Sequence, residues 1–374
     1  EILSGLVGSE MCIRDRSYRK QSFTGHRRGG VIMVKQIKTT PIKTPSLAPS
    51  KKFTSDSYDL ITQNKPINDI SRLNSKQGTT NLLSTQIIKS GDITATISGA
   101  KEGSSFTPTE AIIFDYMLAQ HTRSNNENSR TISFSVTQYM NGRNLKDRRN
   151  AKHQLDKGLK TFLRTTLAYS GMKRPNGKGK RPKDVDAFDG INILTSAHRT
   201  PDGIVTVSFS PEFNDIITKR GLVMPYAKAT YQINPQRHPH AYYIVRKMQE
   251  QKRIAYGEPN ADRLRISTLL KAIPSLPTYE EVKKTNRNYS GRIIEPFFRD
   301  LGDTPQVQQI FKDYAFLDPD GQPFTKDTYD NLSYDQFINS MLVVTAWINY
   351  PEESVKHWKE KQKKNIDNVK KSKK

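Results

Sequence analysis

The sequence predicts a mainly helical α+β chain made of two winged-helix units in tandem, joined by a helix. Three observations predict it. Residues 107–209 read in the order helix, strand, helix, helix, hairpin. Residues 262–348 read as a second run of helices closed by a hairpin. Between them, residues 239–256 have the period of one longer amphipathic helix.

Composition bounds what such a chain can do. Its 374 residues suit two or three domains. A 34% hydrophobic fraction is low and leaves room for unfolded tails. No run of about 18 apolar residues exists, which argues against a membrane span. The single cysteine, Cys12, excludes a disulfide scaffold and a Cys-based zinc site, and it fits a reducing cytoplasm. There are 60 Lys and Arg against 37 Asp and Glu, a formal charge of +23, which points to a polyanionic partner. The plainer alternative, a basic protein charged only for solubility, predicts evenly spread charge. Here the charge is concentrated.

The first 32 residues are expected to be non-native. Glu1–Arg16 (EILSGLVGSEMCIRDR) resembles translated sequencing-adapter sequence, and Met33 is the expected natural start. The stretch has no basic n-region or clean cleavage site, so a secretory signal is not expected. Residues 33–105 are rich in Lys, Thr, Ser, Pro, Asn and Gln with scattered apolar positions, which predicts a flexible arm. Leu82–Ile97 allows a short strand or two within it.

The first unit is expected over 106–236. Thr107-Pro108-Thr109-Glu110 is a capping box with proline at the first helical position. The helix it starts places Ile112, Ile113, Tyr116 and Met117 on one face. Thr131–Val136 alternates like a strand, Thr137–Met140 predicts a short helix, and Asn141-Gly142 a turn. The next helix is expected over Lys146–Ala168, with Leu155, Leu159, Phe162 and Leu163 inward. Opposite them run Lys146, Arg149, His153, Lys157, Lys160 and Arg164 at steps of three or four. An ordinary solvated face mixes acids with bases. This stripe has none, so it predicts a helix facing phosphate or a groove.

Met172–Lys183 is a Gly- and Pro-broken basic segment, expected to be a mobile loop whose Lys178, Lys180 and Arg181 cradle phosphates. Arg143–Lys183 holds fourteen Lys and Arg against two Asp, half the excess of the whole chain. Phe188–Leu194 and Ile204–Phe209 are expected to form the hairpin, turning through Pro201-Asp202-Gly203. A short helix follows Ser210-Pro211-Glu212-Phe213.

The second unit and its leading helix are expected over 237–350. The leading helix buries Ala241, Ile244, Val245 and Met248 and ends near Gly257. Short helices are expected over Asp262–Ala272 and at Tyr279-Glu280-Glu281-Val282, then a longer one over Asn286–Leu301. That helix turns Ile293, Ile294, Phe297, Phe298 and Leu301 inward and Asn288, Arg292 and Arg299 outward. Pro296 should kink or split it. A hairpin follows, Ile310–Leu317 with the turn Asp318-Pro319-Asp320-Gly321 and a return strand within Met341–Ile348. The tail, 351–374, is Lys-rich and expected to be disordered, binding anions without sequence preference.

The sequence also offers catalytic readings, each with a plainer rival. His238-Pro239-His240 with Tyr243 and Lys247 allows a rolling-circle nicking site, in which two His hold a metal and a Tyr attacks DNA. But Tyr243 falls on the same helix as the His pair, where a nucleophile should approach from a facing element. No nucleotide-binding Gly-Lys-Ser/Thr loop exists. The acids Asp300, Asp303, Asp313, Asp318, Asp320, Asp327, Asp330 and Asp335 could suggest a two-metal nuclease, but their spacing fits exposed turn aspartates better.

Three stretches carry a family resemblance: Ile204–Phe213 (IVTVSFSPEF), Ala241–Met248 (AYYIVRKM), and Leu264–Leu301 with LRISTLLKAIP and SGRIIEPFFRDLG. Together they resemble the tandem winged-helix replication initiators of theta-replicating plasmids and related phage elements. Under this resemblance Pro296 is expected. The resemblance covers roughly Thr107–Ile348 and implies a non-enzymatic, cofactor-free initiator. Its second unit would bind the repeats of a double-stranded origin, and its first would support dimerisation and touch DNA backbone. It implies host helicase or initiator proteins as partners, a possible homodimer, and the cytoplasm of a bacterial host. Carried over by position, Arg292 and Arg299 would read bases, Asn288 would lie beside them, and Lys283, Lys284 and Arg287 would touch phosphate. A winged-helix transcriptional regulator and a nicking endonuclease using His238, His240 and Tyr243 are the alternatives.

Overall fold

The computed structural model describes Phe53 and residues 55–371, apart from 82–83, 125–128, 171, 175–182, 186–187, 221 and 286–287. Order begins well before the capping box at Thr107. Strand β1 (Tyr58–Gln63) leads into helix α1 (Lys65–Ile70), whose Asn64 cap accepts the Ile67 N–H at 2.9 Å. Strands β2 (Thr79–Thr80), β3 (Gln86–Ser90) and β4 (Ile93–Ile97) follow. Gly91, at φ 56°, makes the β3–β4 turn in a conformation that favours glycine. Ile88, Ile93, Ala95 and Ile97 alternate into the core. The expected flexible arm over 33–105 is thus corrected from Tyr58 onward. The expectation failed because its inward apolar positions are short runs interleaved with buried polar residues such as Asn68, Asp69 and Gln86. The strand or two expected within Leu82–Ile97 are β3 and β4.

Helix α2 (Pro108–Ser124) starts at the expected capping box, where the Thr107 N–H donates to Glu110 at 2.9 Å. It is the central helix and is buried on nearly every side, from Ala111 through Ala119 and including Asp115. Strand β5 (Thr131–Ser135) and helix α3 (Val136–Gly142), with a Ser135/Gln138 capping box, come next. Helix α4 (Arg148–Leu163) is capped by Asp147, whose carboxylate accepts the Arg149 and Asn150 N–H groups at 2.9 and 3.1 Å. Gly158 lets α4 close on α2, since a Cβ there would lie 2.7 Å from Ile113 Cδ1.

The helix expected to reach Ala168 ends at Leu163, and Leu163 is 38% exposed where it was expected inward. The β-branched pair Thr165 and Thr166 opens strand β6 (Thr165–Tyr169), which alternates Thr165, Leu167 and Tyr169 inward. Strands β7 (Met172–Arg174) and β8 (Lys183–Val185) pair as a ribbon at the ends of the expected basic loop. Strand β9 (Phe188–Asn192) pairs with β6 and completes an antiparallel sheet ordered β2-β3-β4-β6-β9. The wing hairpin is therefore β10 (Leu194–Arg199) and β11 (Ile204–Phe209), one segment later than expected for its first strand. The Pro201-Asp202-Gly203 turn closes it with Gly203 at φ 98° donating to Thr200 O at 3.0 Å. Its sheet is ordered β10-β11-β5. Helix α5 (Pro211–Arg220) begins where Ser210 Oγ accepts the Phe213 N–H at 3.1 Å. Strand β12 (Leu222–Ala227) returns to pair with β1, and helix α6 (Ala229–Gln232) follows.

Helix α7 (Ala241–Ile254) follows and is buried around most of its circumference. The segment expected as one helix at Asp262–Ala272 begins as strand β13 (Arg263–Arg265) and continues as α8 (Ile266–Lys271). Helix α9 (Tyr279–Lys284) has a Thr278/Glu281 capping box. The longer helix expected over Asn286–Leu301 is split. Ser290–Ile294 forms a π-helical turn, and α10 (Glu295–Gly302) follows. Pro296 accounts for the split, because it has no N–H to give the turn before it. Helix α11 (Pro305–Gln308), strand β14 (Phe311–Leu317), helices α12 (Lys326–Asp330) and α13 (Tyr334–Asn339), and strand β15 (Met341–Trp347) complete the unit. Leu317 faces Met341 and Phe311 faces Trp347 across the hairpin. The sheet is ordered β13-β15-β14.

The tail is corrected too. It forms helix α14 (Glu352–Lys371), anchored by buried Val355, by Trp358 against Phe53 at 5.9 Å, and by Lys359 donating to Tyr256 O. Among the described residues no helix is long and apolar enough to cross a membrane.

Candidate nucleic-acid interface

The two three-stranded sheets share one order. In each, the strand before the short helix lies beside the second strand of the hairpin: β5 on β11, and β13 on β15. In the first unit, α4 packs Ala151, Leu155, Leu159 and Phe162 inward and offers its other face to solvent. Lys146, Arg149, His153 and Lys160 are exposed there, while Lys157 and Arg164 are half-buried. The last two pair with carboxylates, Lys157 with a buried one and Arg164 with an exposed one. Lys157 lies 3.8 Å from buried Glu110, and Arg164 pairs with Glu102 at 2.6 Å. Burial raises the Glu110 pKa despite Thr107 and Lys157, and the Arg164 hydrogen bond lowers that of Glu102. Among the described residues no carboxylate lies within ion-pair reach of Lys146, Arg149, His153 or Lys160.

The wing is braced to the same helix. Arg199 on β10 donates to both oxygens of Asp156 on α4, at 2.9 and 2.8 Å, and Arg148 donates to Asp202 O in the wing turn at 2.9 Å. The basic face and the hairpin are therefore joined by side-chain hydrogen bonds. Lys178, Lys180 and Arg181 lie outside the described residues.

In the second unit, Lys283 and Lys284 are exposed in the last turn of α9. Arg287 lies outside the described residues. Asn288 is exposed and accepts the Ser290 N–H at 2.9 Å, and Arg292 is exposed on the π turn. Arg299 is 53% exposed, yet its guanidinium is engaged with Asp300. Asp300 itself is buried, which corrects the expectation that it is an exposed turn aspartate, while Asp303, Asp313, Asp320, Asp327, Asp330 and Asp335 are exposed.

The nicking constellation does not assemble. The Tyr243 ring is 1% exposed and burial raises its pKa, so its hydroxyl cannot meet a DNA phosphate in this conformation. His240 is buried and its Nδ1 is 2.7 Å from Ser275 Oγ. Burial lowers the His240 pKa to about 4, against the pull of Asp300. Among the described residues no cluster of three or more His, Cys, Asp or Glu could hold a metal ion.

Sequence reasoning missed the largest polar feature. Asp115 on α2 accepts from Arg246 at 2.8 and 3.2 Å, from Tyr226 at 2.8 Å and from Tyr242 at 2.7 Å, all buried. Arg246 also donates to Asn68 at 3.2 Å, and Glu250 one turn on pairs with Arg72 and with Lys247 at 2.6 Å. This network joins α1, α2, β12 and α7. Its one sequence signal is Asp115 and Arg246 at inward positions of apolar helices.

A basic helix braced by a hairpin on a three-stranded sheet defines the class, a winged-helix arrangement that presents cations to solvent. Residues 86–221, from β3 to just past α5, match the family described as Initiator Replication protein, WH1. That span is similar to the first winged-helix domain of replication initiators. No curated protein matches the chain. Among solved structures, the crystal structure of Pi initiator protein in complex with iteron DNA is similar at a TM-score of 0.41 and 10% identity, over 77% of this chain and 96% of that one. The structure of selenomethionine derivatives of domain 2 and domain 3 of RctB is similar at a TM-score of 0.31 and 13% identity, over 69% of this chain and 83% of that one.

Proposed function

We propose that this protein is a DNA-binding replication initiator of a plasmid or phage-like element, acting on origin repeats without chemistry of its own. The match of residues 86–221 to the initiator WH1 family carries the reading, and the exposed cations of α4 lie inside that span. We read residues 106–236 as the first winged helix, and 237–350 as the linking helix and a second winged helix. The repeated sheet order supports that division. The first unit would grip backbone through Lys146, Arg149, His153 and Lys160, with Lys157 and Arg164 at its inner edge. The second would read repeat sequence through Asn288, Arg292 and Arg299, with Lys283, Lys284 and Arg287 on phosphate. Host helicase or initiator proteins as partners, a homodimer, and the cytoplasm of a bacterial host belong to the same reading.

The test is selection from a random duplex library with the full chain, followed by a replication assay. The enriched sequence, placed in tandem on a plasmid that cannot otherwise replicate, should support its maintenance when the protein is supplied. Enrichment without maintenance would favour a transcriptional regulator. No enrichment at all would overturn sequence-specific binding.

A further inference from the structure

Arg299 and Asp300 are neighbours in sequence with opposite fates. Arg299 reaches out from α10 and is half-exposed, whereas Asp300 is completely buried. The guanidinium folds back so that Nε and Nη2 both donate to Asp300 Oδ1, at 3.2 and 3.0 Å. The other oxygen, Oδ2, accepts the His240 N–H at 2.8 Å, next to the first residue of the linking helix α7. His240 is held in turn by Ser275. The Asp300 carboxylate is therefore fixed from two sides by backbone and burial, and it fixes the guanidinium plane.

A guanidinium has five N–H donors, four of which form two paired edges. Engaging Nε and Nη2 on one carboxylate oxygen leaves Nη1 and the second Nη2 hydrogen on the outward edge, parallel donors spaced to match the O6 and N7 acceptors of guanine. A free surface arginine must freeze a long side chain before it can present that edge, and a held one has already done so. Asp300 also carries a buried charge that only a near cation can satisfy, so its cost is met by Arg299 whether or not DNA is present.

We propose that Asp300 is a positioning residue for DNA reading. It holds Arg299 with its outward edge set for guanine, and through His240 it locks that edge to the linking helix. The proposal rests on the reading of this protein as a sequence-specific DNA binder. It makes Arg299 a base-reading residue whose geometry comes from the core of the protein, and it separates Arg299 from Arg292, which has no such support among the hydrogen bonds described.

The experiment measures binding of the full chain to the duplex it enriches from a random library and to a scrambled duplex, by fluorescence anisotropy. Arg299→Lys keeps the cation beside Asp300 but removes the fork, and should lower the ratio of the two affinities about tenfold with binding to scrambled DNA unchanged. Asp300→Asn keeps the acceptor for His240 but releases the guanidinium, and should lower the ratio by a similar factor while Arg299 is still present. The double variant should lose no more than either alone. A wild-type ratio near one would sink sequence-specific binding itself, whatever the variants do. A clear wild-type ratio left intact by Arg299→Lys would overturn the positioning proposal, and so would equal losses on both duplexes. If Asp300→Asn does not fold, Arg299→Lys and Arg299→Gln decide alone.

Discussion

The two three-stranded sheets share one strand order and differ in how the cations around them are placed. Around β5, β10 and β11, basic residues line the solvent face of α4 on either side of Asp156, and Arg143–Lys183 holds fourteen Lys and Arg against two Asp. Around β13, β14 and β15, the cations stand singly, and Arg299 is committed to an internal carboxylate. Phosphates repeat identically along a duplex, so a dense stripe grips them wherever it lands. A base edge occurs once per site, so a single donor fork held in place serves it better. The contrast separates two quantities that the net charge of +23 merges, strength of grip and accuracy of reading.

The comparison breaks most visibly if the shared scaffold fails. Arg246→Ala leaves Asp115 buried without its cation and should cost about 3–5 kcal/mol in urea denaturation. A loss under about 1 kcal/mol would mean that the network does not tie the linking helix to α2.

The next effect is a pH dependence at the base of the second unit. Burial lowers the His240 pKa from 6.5 to about 4, so the unfolded chain binds more protons between those values. Stability from this group is complete above pH 6.5 and declines as pH falls toward 4, by on the order of 2–3 kcal/mol. His240→Gln should flatten that part of the denaturation profile. An unchanged slope would assign the acid sensitivity elsewhere.

Two substitutions then sharpen the contrast between the units. Arg292→Ala should cost about 1–3 kcal/mol on the enriched duplex and little on scrambled DNA. Equal losses would move Arg292 to the phosphate class. Lys160→Ala should weaken binding to both duplexes alike and reduce the salt slope by about one. A loss confined to the enriched duplex would make α4 a reading helix.

Much of the scaffold was legible from local chemistry. The capping box at Thr107, the turns at Gly203 and Gly321, and the strand alternation of Ile204–Phe209 each leave a short-range signature, and each stands where expected. The breaks came where distant partners decide the outcome. Residues 58–104 look like an arm because their apolar positions are sparse, and they fold because distant strands β6 and β12 pair with β4 and β1. The Lys-rich tail becomes a helix because Val355 and Trp358 find apolar partners. On α4 the exposed basic positions follow from the helical period, but the pairing of Lys157 and Arg164 with carboxylates does not, since Glu110 and Glu102 come from other elements. Asp300 looked like a turn residue because nothing in its neighbourhood shows that His240 approaches it.

The central claim is the division of labour between grip and reading. It is tested most directly by the variant Lys146→Ala/Arg149→Ala/His153→Ala/Lys160→Ala, titrated with the enriched and the scrambled duplex over a range of salt. The account predicts that both affinities fall together, that the salt slope becomes shallower by about three, one for each of Lys146, Arg149 and Lys160, and that the ratio of the two affinities stays at its wild-type value. A ratio that collapses toward one while the slope holds would contradict it and place the reading of sequence on α4.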